Sequence, residues 1–334
     1  MLMDFFPTFL IIFQILLHYI LKVTPFELNY RTIFIFGDSN SDTGGLAAEI
    51  AFPIGPPHGQ TFFQKPAGRL CDGRLATDFL MDAMRLPFMC PYLDSIGAPN
   101  FKSGCNFATG GSTILPAKAN AISPFSLNIQ VDQFIRFKAR VLDLISKDKN
   151  LRKFVPSSHD FGEGLYMLDI GQNDMDGAFA KFGQDESKLD KLKCVDSHNQ
   201  AARLFNLQLQ TLCAEFQQEF PEAKVTYVDI YAIKSDLIAN YSQYGFKEGL
   251  GVCCGYGGLP LNYDSRVMCG QSVVLNCSVV KGEACTNTTQ YVNWDGNHNT
   301  EAANHYIASK ILTGNYLVPP PPPKSTSYFS LLTR

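Results

Sequence analysis

The 334-residue sequence lacks the features of several large classes of protein. It has no internal repeat of roughly 20–50 residues, which excludes solenoids and propellers. Its only long apolar run lies at the very start, which excludes a protein with several membrane spans. Lys and Arg total 28 against 31 Asp and Glu, with no basic stripe. Nucleic acid is therefore not an expected partner.

Several short motifs are also missing. No C-x-x-C pair is present, which argues against a zinc ribbon or a thioredoxin-like site. No G-x-S-x-G is present, which excludes the nucleophile elbow of α/β-hydrolases. Neither the Walker pattern nor the dinucleotide glycine pattern occurs. The sequence thus indicates neither a metal nor an organic cofactor.

The two ends of the chain differ in composition from the middle. The apolar run within residues 1–28 is typical of a secretory signal peptide, or of an uncleaved N-terminal anchor. Five consecutive prolines begin at Pro319, and such a run forms a stiff extended segment that cannot enter a core. The expected organisation is therefore a targeting segment over 1–28, one domain over 29–318 and a disordered Pro-rich tail over 319–334.

The cysteines and glycosylation sequons indicate an oxidising compartment. All ten cysteines follow residue 70, and five of them lie between residues 253 and 285 in a Gly-rich stretch. Disulfides that pin a loop explain this cluster better than buried thiols do. Three N-x-S/T sequons, at Asn240, Asn276 and Asn287, fit the same route. We therefore expect a secreted, extracellular glycoprotein with no membrane contact beyond its N-terminal segment.

The domain alternates strand-like and helix-like segments. Short apolar runs at 32–36, 164–170 and 225–230 predict buried strands. Apolar residues at helical spacing predict helices over 128–147, 200–220 and 301–312. Strands that alternate with helices of this length favour a parallel sheet covered on both faces, so the expected class is α/β. Ligands of such sheets lie beyond the carboxyl ends of the strands.

Polar clusters at these strand ends supply the parts that acyl transfer requires. Ser39 follows a strand and a glycine, where its hydroxyl can act as a nucleophile. His298 is a candidate base, and Asp295 stands three residues before it, where its carboxylate can orient the ring. The backbone N–H of Gly104 and the side-chain amide of Asn173 are candidate donors to an oxyanion.

Four blocks carry a family resemblance: FIFGDSNSDTGG, SGCNFATGGS, LDIGQND and WDGNHNTEAAN. In this order they resemble plant GDSL esterase/lipases of the SGNH hydrolase superfamily. The resemblance implies a flavodoxin-like three-layer α/β/α sandwich and cofactor-free hydrolysis of carboxylic esters. It implies a triad of Ser39, Asp295 and His298. It also implies an oxyanion hole made by the N–H groups of Ser39 and Gly104 with the Asn173 side chain.

Other interpretations of the same residues remain open. The protein could be an idle glycoprotein that binds a carbohydrate or an acyl ligand, or an acyltransferase with the same triad. Relatives in this part of the family have been described as fucosidases. A metal site would use three residues on one helix face: His298, Glu301 and His305. A pair of glycosidase carboxylates would come from three acidic residues: Asp169, Asp174 and Asp176.

Overall fold

The structure is a computed structural model that describes residues 28–96, 98–117, 121–182 and 188–321. The expected targeting segment lies outside the described residues, apart from Leu28, which packs on the core. Most of the expected Pro-rich tail lies outside them as well. Both expectations stay predictions.

The described residues form eleven strands and eight α-helices. The strands are β1 (Ile33–Gly37), β2 (Gly104–Asn106), β3 (Leu165–Asp169), β4 (Tyr227–Val228), β5 (Glu248–Val252), β6 (Cys254–Gly255), β7 (Ser272–Leu275), β8 (Ser278–Lys281), β9 (Glu283–Ala284), β10 (Tyr291–Asn293) and β11 (Leu317–Val318). The helices are α1 (Gly45–Ile50), α2 (Ala76–Ala83), α3 (Leu127–Lys147), α4 (Ser158–Glu163), α5 (Gln172–Phe182), α6 (Asp196–Glu219), α7 (Ile230–Ala239) and α8 (Glu301–Leu312).

A parallel sheet with the order β2–β1–β3 is the centre of the fold. Ile33 at the start of β1 pairs with Gly104 on one side and with Leu165 on the other. Because all three strands run in the same direction, the segments that follow them emerge at one edge of the sheet. This edge is where Ser39 lies.

Side chains of β1 alternate between two apolar layers, as the two-residue period of a strand requires. Phe34 and Phe36 pack on one side with residues of α3 and α4, among them Phe137 and Phe161. Ile33 and Ile35 pack on the other side with residues of α2 and α8. Helices therefore cover both faces of the sheet. The predicted α/β class, with its parallel sheet between two helical layers, is confirmed.

The helices that the periodicity predicted form close to the expected bounds. In α3, Phe137, Val141 and Ile145 recur every four residues and face the core. The last helix, α8, begins after Thr300, whose side chain accepts a hydrogen bond from the N–H of Ala303. This N-cap fixes where α8 starts, directly after His298.

The Cys-rich stretch contains two disulfides, Cys253–Cys285 and Cys254–Cys269, which confirms the expected disulfide-pinned region. Its secondary structure was not expected. β6 pairs with β9, and β7 and β8 form an antiparallel hairpin. The hairpin turns at Asn276 and Cys277, both with positive φ. Adjacent residues with positive φ are typical of the tight turns that join two short strands.

Within the part of the chain that the structure describes, no helix is both long and apolar enough to cross a membrane.

Candidate active site

Ser39 lies two residues beyond the end of β1, at the carboxyl edge of the sheet. Close packing at this edge requires a glycine before it, because a Cβ on Gly37 would stand 2.3 Å from the carbonyl oxygen of Asp169. Ser39 is only 4% exposed, and its hydroxyl hydrogen-bonds to no other described residue. The loop therefore holds a serine hydroxyl that no neighbouring group in the described chain engages.

Asp42 fixes the loop that presents Ser39. Its buried carboxylate accepts hydrogen bonds from the N–H groups of Gly44 (2.7 Å) and Leu46 (3.0 Å) at the start of α1. It also accepts one from the N–H of Gly110 (2.8 Å), in the loop after β2. One carboxylate thus caps a helix and ties together the loops that follow two neighbouring strands.

Asp295 and His298 form a directly bonded pair. The Nδ1 of His298 lies 2.7 Å from Oδ2 of Asp295. Oδ1 of Asp295 accepts the backbone N–H groups of Asn297 (3.0 Å) and His298 (2.9 Å). Both side chains are 12% exposed. The tight turn between them leaves Nε2 of His298 as the ring nitrogen available to a substrate or a nucleophile.

The charges around His298 favour its protonated form. Burial lowers the pKa of His298, but Asp295 and then Asp38 raise it, and the net shift is upward from 6.5. Burial raises the pKa of Asp295, but its bonds to His298 and to two backbone N–H groups outweigh burial, and the net shift is downward. The pair therefore stabilises an imidazolium, the species a general base becomes when it takes a proton.

A chain of side-chain contacts joins the Ser39 loop to the His298 turn. Nδ2 of Asn40 donates to Oε1 of Gln172 at 3.0 Å. Nε2 of Gln172 reaches the carbonyl oxygen of Asn297 at 3.5 Å. This series of contacts begins at Asn40, next to Ser39, and ends at Asn297, next to His298. Ser39 and His298 do not hydrogen-bond to each other directly. Catalytic hydrogen bonds are often long without substrate and tighten when it binds.

Asn173 lies in the first turn of α5, at the carboxyl end of β3. The apolar spacing of the sequence predicts no helix here. Nδ2 of Asn173 donates to the carbonyl oxygen of Ser112 at 2.9 Å. An amide nitrogen carries two hydrogens, so a second donor remains for another acceptor.

Gly104 does not lie at this site, and the expectation that it contributes to the oxyanion hole is corrected. It opens β2 and pairs with Ile33, the first residue of β1, whereas Ser39 follows the last residue of β1. Four residues of strand separate the two edges, about 13 Å at ~3.3 Å per residue. The N–H of Gly104 also donates to the carbonyl oxygen of Phe101 at 2.9 Å.

The glycines at the correct end of β2 are Gly110 and Gly111. Asp42 accepts the N–H of Gly110, whereas the N–H of Gly111 has no acceptor among the described residues. Gly111 has φ of +79° and is followed by Ser112, the residue that binds Asn173. Ligands bind beyond the carboxyl ends of strands, so the position of these two glycines after β2 is the sequence signal that indicates them.

His58 is a buried neighbour of the site that the sequence did not indicate. It is 6% exposed, although it lies in a Gly- and Pro-rich stretch of the sequence. Its Nδ1 lies 2.9 Å from the carbonyl oxygen of Gly55, and its ring meets Trp294 edge-on. Trp294 directly precedes Asp295, so His58 packs behind the turn that holds Asp295.

Several residues of the two alternative clusters have other partners. Glu301 pairs with Arg74 at 2.8 Å, and the His305 ring packs against Phe79. Among the described residues, no three His, Cys, Asp or Glu side chains stand close enough to hold a metal ion. Asp174 accepts the backbone N–H of Ile114 at 2.8 Å, so its carboxylate fixes the loop beside Asn173.

Comparisons with known proteins give matches over most of the chain. The model of a family described as GDSL-like Lipase/Acylhydrolase matches residues 33–193 and 186–311. One GDSL esterase/lipase of Arabidopsis thaliana is 45% identical over 370 aligned residues, which cover 88% of this chain and 91% of that protein. A second is 44% identical over 338 residues and covers 86% of this chain and 89% of that protein. A protein of the same plant named Alpha-L-fucosidase 3 is 36% identical over 343 residues, with coverage of 86% and 91%.

Proposed function

The chain belongs to the GDSL-like lipase/acylhydrolase family and is a carboxylic ester hydrolase, and we propose that it works through an acyl-enzyme on Ser39. The contact between Asp295 and His298 carries this proposal, together with a Ser39 hydroxyl that hydrogen-bonds to no other described residue. In it, Nε2 of His298 takes the Ser39 proton as the hydroxyl oxygen attacks the ester carbonyl. Asp295 holds the ring by Nδ1 and stabilises its charge.

The collapse of the tetrahedral intermediate completes the first half of the reaction. The bond to the alcohol breaks, and His298 gives its proton to the leaving oxygen. Water then attacks the acyl-enzyme by the same route and restores Ser39. An alcohol in place of this water would make the protein an acyltransferase, and comparing the products with and without an added alcohol separates the two activities.

The oxyanion would form between three donors. Two of them are the N–H of Ser39 and the second amide hydrogen of Asn173. The N–H of Gly111 takes the place expected for Gly104, because it has no acceptor in the described chain and adjoins the Asn173 contact. Neutral donors fixed before the reaction stabilise developing charge without needing to reorganise.

We also propose that the protein is secreted and acts on acyl esters of sugars, lipids or specialised metabolites. Its two disulfides require an oxidising compartment. Asn276 and Asn287 are exposed and accessible to glycosylation, whereas Nδ2 of Asn240 donates to Asp236 at 2.8 Å. The similarity to a protein named as a fucosidase adds a fucoside to the substrates to be compared.

The test is covalent capture followed by turnover. A fluorophosphonate should label Ser39, as read by peptide mass spectrometry, and an ester panel should show hydrolysis that Ser39→Ala abolishes. Ser41→Ala is the matched control, because Ser41 is buried two residues away and its hydroxyl lies 3.4 Å from Asp169. Labelling at another residue, or ester turnover retained by Ser39→Ala, would show that the nucleophile is elsewhere. Idle binding would give neither labelling nor turnover.

A further inference from the structure

The outer edge of β3 lies open. β1 pairs with β3 on one side only, and no other described strand pairs with β3. All five residues of β1 are buried, whereas in β3 Tyr166 and Leu168 are exposed, Leu168 by 62%. Natural sheets protect such edges with Lys, Pro or a covering segment, and β3 contains neither Lys nor Pro.

Helix α6 adjoins this edge and is also uncovered. Phe205 of α6 lies against Gly171, two residues after β3. Although α6 has 24 residues, none of them is buried. Its exposed apolar side chains include Leu207, which is 61% exposed. The others occupy more than one side of the helix: Leu204, Leu209, Leu212 and Phe216. A helix with apolar residues on several sides is typical of a protein interior.

The relatives are longer than this chain inside the aligned region. For the first GDSL esterase/lipase, 88% of 334 residues is about 294, so about 76 of the 370 aligned positions have no counterpart here. By the same calculation, about 51 aligned positions of the second GDSL esterase/lipase and about 56 of the protein named as a fucosidase have no counterpart in this chain. The family model matches the chain in two pieces, which overlap at residues 186–193, between α5 and α6. About 50 residues suffice for a strand and a covering helix, since a whole βαβ unit needs only about 30 or more.

We propose that this chain lacks a strand–helix unit that its relatives carry between α5 and α6, and that a second copy of the chain binds the face left open. This face, the β3–α6 face, consists of the outer edge of β3 and the exposed apolar side chains of α6. Strand β4 supports the proposal, because it pairs with β11 and stands apart from the central sheet. A strand between β3 and β4 would join them into one sheet.

The backbone of β3 suits pairing with its own copy across a twofold axis. The N–H of Leu165 donates to the carbonyl oxygen of Thr32 at 2.9 Å, on the β1 side of β3. Backbone groups of successive residues in a strand point to alternate sides, so the N–H and C=O groups of Tyr166 and Leu168 point away from β1, toward the open edge. Antiparallel pairing centred on Met167 places Tyr166 of each copy opposite Leu168 of the other, where both residues can exchange hydrogen bonds. The same register places Asp169 opposite Leu165, so like charges do not meet.

The experiment measures the mass of the full-length secreted protein, with its disulfides intact, by size exclusion with light scattering at micromolar concentration. We expect twice the monomer mass. Pairing between copies should also slow amide hydrogen exchange in β3 of the wild type. Leu168→Lys adds a charge to the exposed edge, so it should give the monomer and restore fast exchange in β3. Val279→Lys is the matched control, because Val279 is 74% exposed on β8, which pairs with β7 in a separate hairpin and with no strand of the central sheet, and it should leave the mass unchanged.

A chimera completes the test. Inserting the unmatched segment of a relative at residues 186–193 should cover the face and give a monomer. A wild-type monomer at these concentrations, or equal masses for the Leu168→Lys and Val279→Lys variants, would overturn the proposal. It would also be overturned by a chimera that still dimerises, or by a wild-type complex with an unrelated protein in place of a second copy.

Discussion

Asp38, the residue before the proposed nucleophile, gives the sharpest quantitative prediction. It is 1% exposed, and burial first and the charge of Asp169 second raise its pKa from 3.8 to about 7. Asp38→Asn keeps the shape and an oxygen that can accept the N–H of Asn40, now at 3.0 Å from Asp38. The substitution therefore removes the ionisation while retaining the contact.

The magnitude follows from linkage. A shift from 3.8 to about 7 corresponds to about 4 kcal/mol, at ~1.4 kcal/mol per pKa unit. Because the folded pKa of this acid is raised, the folded state binds the proton more tightly than the unfolded state. The Asp38 carboxyl therefore lowers the free energy of unfolding as pH rises from ~4 to ~7. We expect Asp38→Asn to gain up to about 4 kcal/mol relative to wild type across that window.

Urea unfolding at several pH values, under oxidising conditions, measures this difference. Asp143→Asn is the control of opposite sign, because Asp143 is exposed and its bond to Lys147 lowers its pKa. A stability difference between Asp38→Asn and wild type that stays constant from pH ~4 to ~8 would refute the reasoning.

The same variant has a kinetic consequence. The charge of Asp38 raises the pKa of His298, as does that of Asp295. Without the Asp38 charge, the acid limb of kcat/KM should move to lower pH, because His298 then loses its proton more readily. An acid limb that stays in place would show that the interaction between Asp38 and His298 is negligible.

Strong local patterns explain which elements the sequence predicted well. Helices α3 and α8 carry apolar residues at helical spacing, and α8 has a Thr300 cap, so both their type and their bounds can be predicted. β1 and β3 are short, largely apolar runs; β1 ends at Gly37, and Gly171 follows two residues after β3. The pairing of Asp295 with His298 follows from a three-residue separation, which a single turn can accommodate.

Two features of the site were not predicted correctly: the position of Gly104 relative to β2 and the helix that contains Asn173. β2 has only three residues, and its apolar content does not show where it begins. Gly104 opens this strand, so assigning it to a strand end moves it to the opposite edge of the sheet. Asn173 lies in a stretch with turn-forming neighbours, and contacts of α5 with α6, such as Phe179 stacking on His198, support a helix there.

Long-range pairing explains the remaining difference. The apolar run at 225–230 predicts a strand of the central sheet, yet only Tyr227–Val228 forms a strand, and it pairs with β11. The composition of a strand does not specify which neighbour it finds. That depends on which other strands the chain supplies, and none of the described segments lies between β3 and β4 in a common sheet.

Three further predictions concern the disulfides and the proposed catalysis. Removing the Cys254–Cys269 disulfide with paired serines should lower the free energy of unfolding by about 2–4 kcal/mol in urea titrations, whereas Cys277→Ser should change it little, because Cys277 is exposed and unpaired. Ester kcat/KM should fall as pH drops through the pKa of His298, which lies above 6.5, because only the neutral ring accepts a proton; a profile flat down to pH ~4 would contradict a histidine base. Asn173→Ala should lower kcat by about 10²–10³ with a smaller change in KM, because its amide would bind the oxyanion more strongly than the ground-state carbonyl. Asn173→Asp keeps the size but places a carboxylate beside the developing negative charge, so it should be at least as damaging; if it retains near-full kcat, Asn173 serves only to hold its loop and the oxyanion donor lies elsewhere.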